Sequence, residues 1–211
     1  MTHLVSADRA VDPLEGGRCS SIDRIADPGP LGLSAFATTT FVLSCVNAGL
    51  APKAVEPIVL PLALFYGGLV QLLAGMWEFR RANTFGAVAF TSYGAFWLSF
   101  VGYIEFIAPA LSTADAGAAT GLFLLAWAIF TAYLTVASFR VSGTVAAVFV
   151  TLLATFIMLT IGAYTGALEI SQLGGYFGIL TAVLAWYASF TGITNVTPAH
   201  TVRTRFSPTA R

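Results

Sequence analysis

The chain has 211 residues, of which 57% are hydrophobic and only 9% are charged. Soluble domains carry about 25% charged residues, so this composition is typical of a protein that lies mostly in lipid. Ten Lys and Arg residues balance ten Asp and Glu residues, and because no basic stripe with interleaved aromatic residues occurs, we expect no nucleic-acid partner.

Six apolar segments have the length of about 20 residues that a helix needs to cross the hydrocarbon core of a bilayer. They cover residues 31–50, 58–79, 86–108, 120–139, 143–163 and 174–193, and each is bounded by charged residues, Pro or Gly. The sequence therefore predicts an all-α integral membrane protein with six transmembrane helices in a single domain, residues 27–193. We expect residues 1–26 to form a disordered tail and residues 194–211 to form a second tail.

The basic residues of the chain predict its orientation, because cytoplasmic segments of membrane proteins retain Lys and Arg. One set of segments holds nine of the ten: Arg9, Arg18, Arg24, Arg80, Arg81, Arg140, Arg203, Arg205 and Arg211. The opposite side holds only Lys53. This distribution predicts a multi-pass protein of the plasma (inner) membrane with both termini in the cytoplasm.

The stretch DPGPLGLSAF, residues 27–36, opens the first predicted helix. Pro28 and Pro30 lack amide hydrogens, so a helix cannot run in from the tail, and we expect it to begin close to Pro30. Free amides around Leu31, Gly32 and Leu33 would then face the cytoplasmic mouth, where the positive end of the helix favours an anion. Asp27 is a good N-cap residue, but its charge is expected to repel anions from that end of the helix.

Few polar side chains lie within the predicted spans, and each asks for an explanation, since such groups are costly in lipid. Gln71 shares one helix face with three small residues, which is typical either of close helix packing or of an amide that lines a pore. Asn47 lies near the outer end of the first span, where its amide could form hydrogen bonds with a solute that crosses the protein. Glu78 is either the partner of an interfacial ion pair with the following arginines or a carrier of protons.

Several kinds of site are absent from the spans. The six predicted spans contain no Lys, Arg or His, which argues against a fixed cationic site and against a buried histidine proton relay. The two cysteines have no metal-ligand spacing, and no catalytic constellation can be drawn from the membrane residues. We therefore expect neither an enzyme, nor a metal site, nor a cofactor.

Three stretches resemble the acetate uptake transporter family (acetate/succinate transporters), a family of small six-helix membrane proteins. They are DPGPLGLSAF at 27–36, FYGGLVQLLAGMWEFRRANTFG at 65–86 and FTSYGAFWLSF at 90–100. The resemblance extends over residues 27–193. The family signature is Asn-Pro-Ala-Pro-Leu-Gly-Leu, from which this chain departs with Asp27 for Asn and Gly29 for Ala.

The resemblance implies uptake of acetate, and of other short carboxylates such as succinate, together with protons. It also implies a ring-shaped homohexamer in which every protomer has its own pore. The family has an apolar gate of Phe, Tyr and Leu. By motif, its Phe and Tyr fall on Phe36 and Tyr93, and its Leu is best placed at Leu152, ten residues before Gly162. Further matching positions in the predicted substrate pathway are Gln71, Glu78, Asn83, Thr84 and Ala185, the last at a position that shapes substrate size in relatives.

Two other functions remain open from the residues alone. A passive channel for small neutral solutes such as urea or amides would equally lack buried charge. A signalling or scaffold subunit that transports nothing would use Gln71 only for packing. Substitution of Gln71 and uptake measurements separate these alternatives.

Overall fold

A computed structural model describes residues 25–196 of the chain. This part contains six helices that are long and apolar enough to cross a membrane, and no strand. We number them in chain order: α1 Gly29–Asn47, α2 Lys53–Arg80, α3 Thr84–Ala110, α4 Thr113–Ser138, α5 Gly143–Thr165 and α6 Leu168–Val196. The prediction of an all-α protein with six membrane helices is confirmed.

The observed helices are longer than several of the apolar segments because capping residues, and not hydrophobicity, decide where a helix begins. Helix α4 begins at Thr113, seven residues before the predicted span, where the Ser112 side chain accepts a hydrogen bond from the Asp115 amide. Helix α2 begins with a 3-10 turn, Lys53–Ile58, and continues through Pro61 into a π-helical segment, Leu62–Val70. Helix α3 likewise ends in a π turn and a 3-10 turn.

Helix α1 packs mainly against α2 and α6, and the other extensive contacts join α2 to α3, α4 to α5, and α5 to α6; smaller contacts join α3 to α1 and to α4. The contact between α1 and α6 is close enough to require glycine. A Cβ atom at Gly175 would lie 2.3 Å from the Ala48 amide nitrogen, and one at Gly178 would lie 2.2 Å from the Ser44 hydroxyl. Small residues at helix contacts are the usual way for membrane helices to approach each other.

The beginning of α1 is also bonded to the end of α6. The Ser189 hydroxyl donates to the Pro30 carbonyl oxygen at 2.7 Å, and its oxygen lies 2.7 Å from that of Ser34. The two ends of the described segment therefore lie at one end of the bundle, together with the loop between α2 and α3. Most of the two predicted tails, residues 1–24 and 197–211, lies outside the described residues.

Candidate functional site

Two cavities of similar size lie within the bundle, with volumes of about 440 and 430 Å³. We call the first the Arg81 cavity, since Asp27, Arg81 and Asn83 line it at the end of the bundle where α1 begins. We call the second the Lys53 cavity, since Asn47, Lys53 and Glu56 line it at the opposite end. Each cavity has the size of a typical small-molecule site.

Three residues line both cavities: Phe36, Tyr93 and Leu152. They come from α1, α3 and α5, and all three are buried, with side-chain exposures of 6%, 3% and 4%. We call them the constriction. The structure thus brings together the three residues that the family resemblance picked as a gate, at the place where the two cavities meet.

Contacts with neighbouring side chains fix the position of the constriction residue Tyr93. The Tyr93 hydroxyl lies 2.8 Å from that of Thr131 in α4, and neither hydroxyl is exposed. The rings of Phe36 and Tyr93 have their centroids 5.9 Å apart, and the ring of Phe149 lies 6.1 Å from that of Tyr93. Because aromatic pairs at such distances attract each other, the ring of Tyr93 is fixed both by packing and by a hydrogen bond.

Gln71 lines the Arg81 cavity from α2, and its side chain is 1% exposed. Its amide oxygen has no hydrogen-bond partner within the described part of the chain. An unpaired polar atom that is buried costs about 1–3 kcal/mol, so it tends to be kept where it meets a ligand or water. The small residues that share its helix face do pack closely, since a Cβ atom at Gly67 would lie 2.6 Å from the Thr39 hydroxyl.

A network of charged and polar side chains surrounds the mouth of the Arg81 cavity. Asp27 forms an ion pair with Arg81, which follows the end of α2. The Asp27 carboxylate also accepts a hydrogen bond from the Gly29 amide at 3.0 Å. Glu78 is buried and accepts a hydrogen bond from the Asn83 side-chain amide at 2.9 Å, while the Asn83 oxygen caps α3 by accepting from the Gly86 amide.

This network corrects two expectations. Helix α1 begins at Gly29, with Pro28 at the capping position, and the Gly32 amide donates to the Pro28 carbonyl oxygen at 3.0 Å. Gly32 is therefore not the free donor that the sequence suggested. The repulsive charge of Asp27 is also partly neutralised by Arg81, since opposite charges in contact cancel much of each other's field.

The Lys53 cavity is lined mainly by aromatic rings and by hydroxyl and amide groups. Asn47 lines it, as do Ser44 and Thr40. The Thr40 hydroxyl is buried and has no partner among the described residues, whereas the neighbouring Thr39 donates to the Ala35 carbonyl oxygen of its own helix. From the sequence, most of the hydroxyls of this helix, Thr40 among them, are expected only to bond their own helix. Thr40 was therefore not picked as a site residue, although its position one helical turn after Phe36 places both on one face of α1.

Four other predicted site residues line neither of the two cavities: Leu31, Gly32, Thr84 and Ala185. Leu31 is 48% exposed and Thr84 is exposed at the start of α3. Gly32 packs against the ring of Phe90, and Ala185 is fully buried in the same apolar cluster as the constriction. Leu33 does line the Arg81 cavity. Ala185 lines neither cavity, so any effect it has on a substrate is exerted through the packing of this cluster.

Comparison with known proteins places this bundle in a family. Residues 15–207 match the GPR1/FUN34/yaaH family. The chain is 43% identical to ammonia transport outward protein 2 of Saccharomyces cerevisiae over 82% of its length, but spans only 63% of that protein. It is 39% identical to acetate permease A of Emericella nidulans, covering 92% of this chain and 72% of the permease.

Bacterial proteins are similar over nearly their whole length. The succinate-acetate/proton symporter SatP of Escherichia coli is 35% identical, with 82% of this chain and 90% of SatP covered. The solved structure of the bacterial acetate channel SatP superposes with a TM-score of 0.76 at 33% identity, over 83% of this chain and 99% of that one. The chain therefore belongs to the GPR1/FUN34/yaaH family of membrane proteins.

Proposed function

We propose that this protein transports acetate, and other short carboxylates such as succinate, through a pore within each protomer. The observation that carries this proposal is the meeting of two cavities, one from each end of the bundle, at the constriction of Phe36, Tyr93 and Leu152. A path that narrows to such a constriction suits small solutes. The names of acetate permease A and SatP favour carboxylates as the substrates.

The apolar constriction also suggests how protons take part. A ring of buried apolar side chains disfavours a hydrated anion, because the anion must shed water without gaining new partners. It favours a neutral acid, or an anion that moves with a proton beside it. Gln71, with an unpaired buried amide oxygen, can accept a hydrogen bond from the O–H group of such an acid on its way through the protein.

Assembly and orientation belong to the same proposal. We expect a homohexamer in the plasma membrane, with both termini and the Arg81 cavity on the cytoplasmic side. Arg81 lines this cavity, and Arg140 directly precedes Val141, which also lines it. The presence of arginines at this end of the bundle supports this orientation. Many large apolar side chains are exposed on the outside of the bundle, which suits contact with lipid or with other protomers.

The experiment uses purified protein in proteoliposomes and follows labelled acetate with and without an inward proton gradient. We expect acetate to accumulate when the inside is alkaline, and succinate, lactate and propionate to compete for uptake. Labelled urea and ammonia are measured in the same vesicles. Flux of those neutral solutes without gradient-driven accumulation of acetate would favour the passive channel and reject this proposal.

A further inference from the structure

The ion pair between Asp27 and Arg81 bridges the mouth of the Arg81 cavity. Asp27 lies just before α1, and Arg81 lies in the loop between α2 and α3, 54 residues further along the chain. Their side chains are 35% and 36% exposed. Both can therefore be reached by a solute that enters the cavity.

Arg81 is the one cation among the described residues that line this cavity, whereas Asp27 and Glu78 are its carboxylates. Its guanidinium group carries five N–H donors in a planar fork, a geometry that matches a carboxylate. The present partner of the Arg81 Nη1 atom is the Oδ1 atom of Asp27. A substrate carboxylate at this mouth presents the same chemistry as the Asp27 side chain.

Each of the two carboxylates of the cavity accepts a hydrogen bond from a donor other than Arg81. Asp27 accepts from the Gly29 amide, and Glu78 accepts from Asn83. Asp27 can therefore release Arg81 and keep its hydrogen bond from the Gly29 amide. Because the Asp27 side chain is partly exposed, water can take the place of Arg81. An ion pair is costly to break when a buried charge is left without a partner. Exchange of Arg81 between Asp27 and an incoming carboxylate leaves no such charge.

We infer that Arg81 binds the carboxylate of the substrate at the mouth and that Asp27 competes with the substrate for it. Asp27 then sets the apparent affinity of the transporter, and Arg81 sets its preference for acids. This inference rests on the proposed function. It assigns opposite roles to the two ends of a single ion pair.

The test compares Asp27→Asn, Arg81→Gln and the double variant with the unaltered chain at pH 7.5. Apparent affinity is read in two ways: as KM for labelled acetate in proteoliposomes, and as the acetate concentration that raises the melting temperature of the detergent-purified protein. Arg140→Gln is the matched control, since it removes the same charge from an exposed loop residue that lines neither of the two cavities.

We expect Asp27→Asn to lower the KM by roughly threefold to fivefold and Arg81→Gln to raise it by a similar factor, which is the scale of a half-exposed charge pair. The double variant is expected to behave as Arg81→Gln, because Asp27 acts through Arg81. Arg140→Gln is expected to leave the KM unchanged. The differences are expected to shrink at 1 M salt, where the Debye length falls to about 3 Å.

Three results would overturn the inference. Shifts of the KM in the same direction for Asp27→Asn and Arg81→Gln would mean that the ion pair only holds the loop. An effect of Asp27→Asn that persists without Arg81 would mean that Asp27 acts by its own charge. An equal effect of Arg140→Gln would mean that only the net charge matters.

Two further controls keep the outcome clear. If Asp27→Asn does not assemble, Asp27→Ser replaces it, because a serine hydroxyl still accepts from the Gly29 amide without a charge. If the unaltered chain neither binds nor transports acetate, the proposed function fails. If it does both and the variants deviate from the expected pattern, only the inference about Arg81 fails.

Discussion

The two cavities are alike in size but differ in how their charged groups are connected. At the Arg81 cavity the ion pair joins α1 to the loop between α2 and α3. At the Lys53 cavity the ion pair of Lys53 and Glu56, 2.7 Å long, lies within one turn of α2, and the Lys53 side chain is 75% exposed. A long-range pair couples separate elements, whereas a local and solvated pair contributes little to either stability or shape.

The walls of the cavities differ in a similar way. The Arg81 cavity contains Glu78 and Gln71, both 1% exposed, so these two polar groups are largely desolvated, whereas Asp27 and Arg81 at its mouth reach water. The Lys53 cavity is bounded by the aromatic side chains of α3 and α4 and by the hydroxyl groups of α1. Under the proposed function, we therefore expect electrostatic selection at the Arg81 cavity and selection mainly by shape at the Lys53 cavity.

The largest effects are expected where the two cavities meet. Phe36→Ala and Tyr93→Ala should each join the cavities and raise the uptake of succinate relative to acetate, since the barrier to larger solutes is removed. Each should also lower the free energy of unfolding by about 3 kcal/mol, the cost of an aromatic side chain lost from a packed core. Thermal unfolding in detergent and competitive uptake in proteoliposomes measure the two changes.

Tyr93→Phe is the control for the constriction, because it keeps the ring and removes only the hydrogen bond to Thr131. We expect a loss of about 1 kcal/mol in stability and unchanged selection by size. Unchanged selection in both alanine variants would show that the constriction does not limit passage.

The next largest effect is expected at Gln71, on the Arg81 side of the constriction. Gln71→Leu removes an unpaired amide oxygen while keeping a similar volume, so stability should be maintained. Initial uptake of acetate should fall by about tenfold, as expected for one hydrogen bond in a dry site.

Thr91→Val provides the comparison for Gln71. It also removes an unpaired buried oxygen from the interface of α2 and α3, but Thr91 lines neither of the two cavities. Equal uptake by both variants and by the unaltered chain would assign Gln71 to helix packing alone.

A smaller effect is expected at Thr40, on the Lys53 side of the constriction. Thr40→Val should reduce acetate uptake about threefold, because the hydroxyl is a buried acceptor that only a solute or water can satisfy. Thr39→Val removes a hydroxyl already bonded to its own helix and should leave uptake unchanged. A reversed order of the two variants in a transport assay would contradict the assignment of Thr40 to the path.

The smallest effect is expected at Lys53. Lys53→Gln breaks only the local pair with Glu56, so we expect the KM for acetate to change less than about twofold. A shift as large as that of Arg81→Gln, measured in the same vesicles, would remove the asymmetry between the two ends of the bundle.

Much of the fold could be predicted because lipid leaves few choices. Without water as a partner, backbone amides and carbonyls must bond within the chain, so each long apolar segment becomes a helix. The start of α4 at Thr113 and the π segment of α2 could not be predicted in this way. They depend on a capping hydroxyl and on local backbone geometry, which leave little trace in hydrophobicity.

The candidate site was only partly predictable. Motifs singled out Phe36 and Tyr93, and a register along α5 singled out Leu152, but only the folded chain brings their side chains to one place. Thr40 and Thr131 were missed because threonine is common in membrane helices and usually bonds to its own helix. The distinction between Thr39 and Thr40 depends on what each one faces, since Thr39 lies against Gly67 of α2 and Thr40 lines the Lys53 cavity.

The sequence by itself determined that the chain forms six apolar helices and that the six predicted apolar segments contain no Lys, Arg or His. Each of these properties follows from composition along the chain. Only the tertiary structure decided that Asp27 pairs with Arg81, that Glu78 bonds to Asn83, and that three helices meet at the constriction. These are contacts between residues far apart in the chain, and they depend on how the helices pack against each other, with glycines allowing the closest approaches.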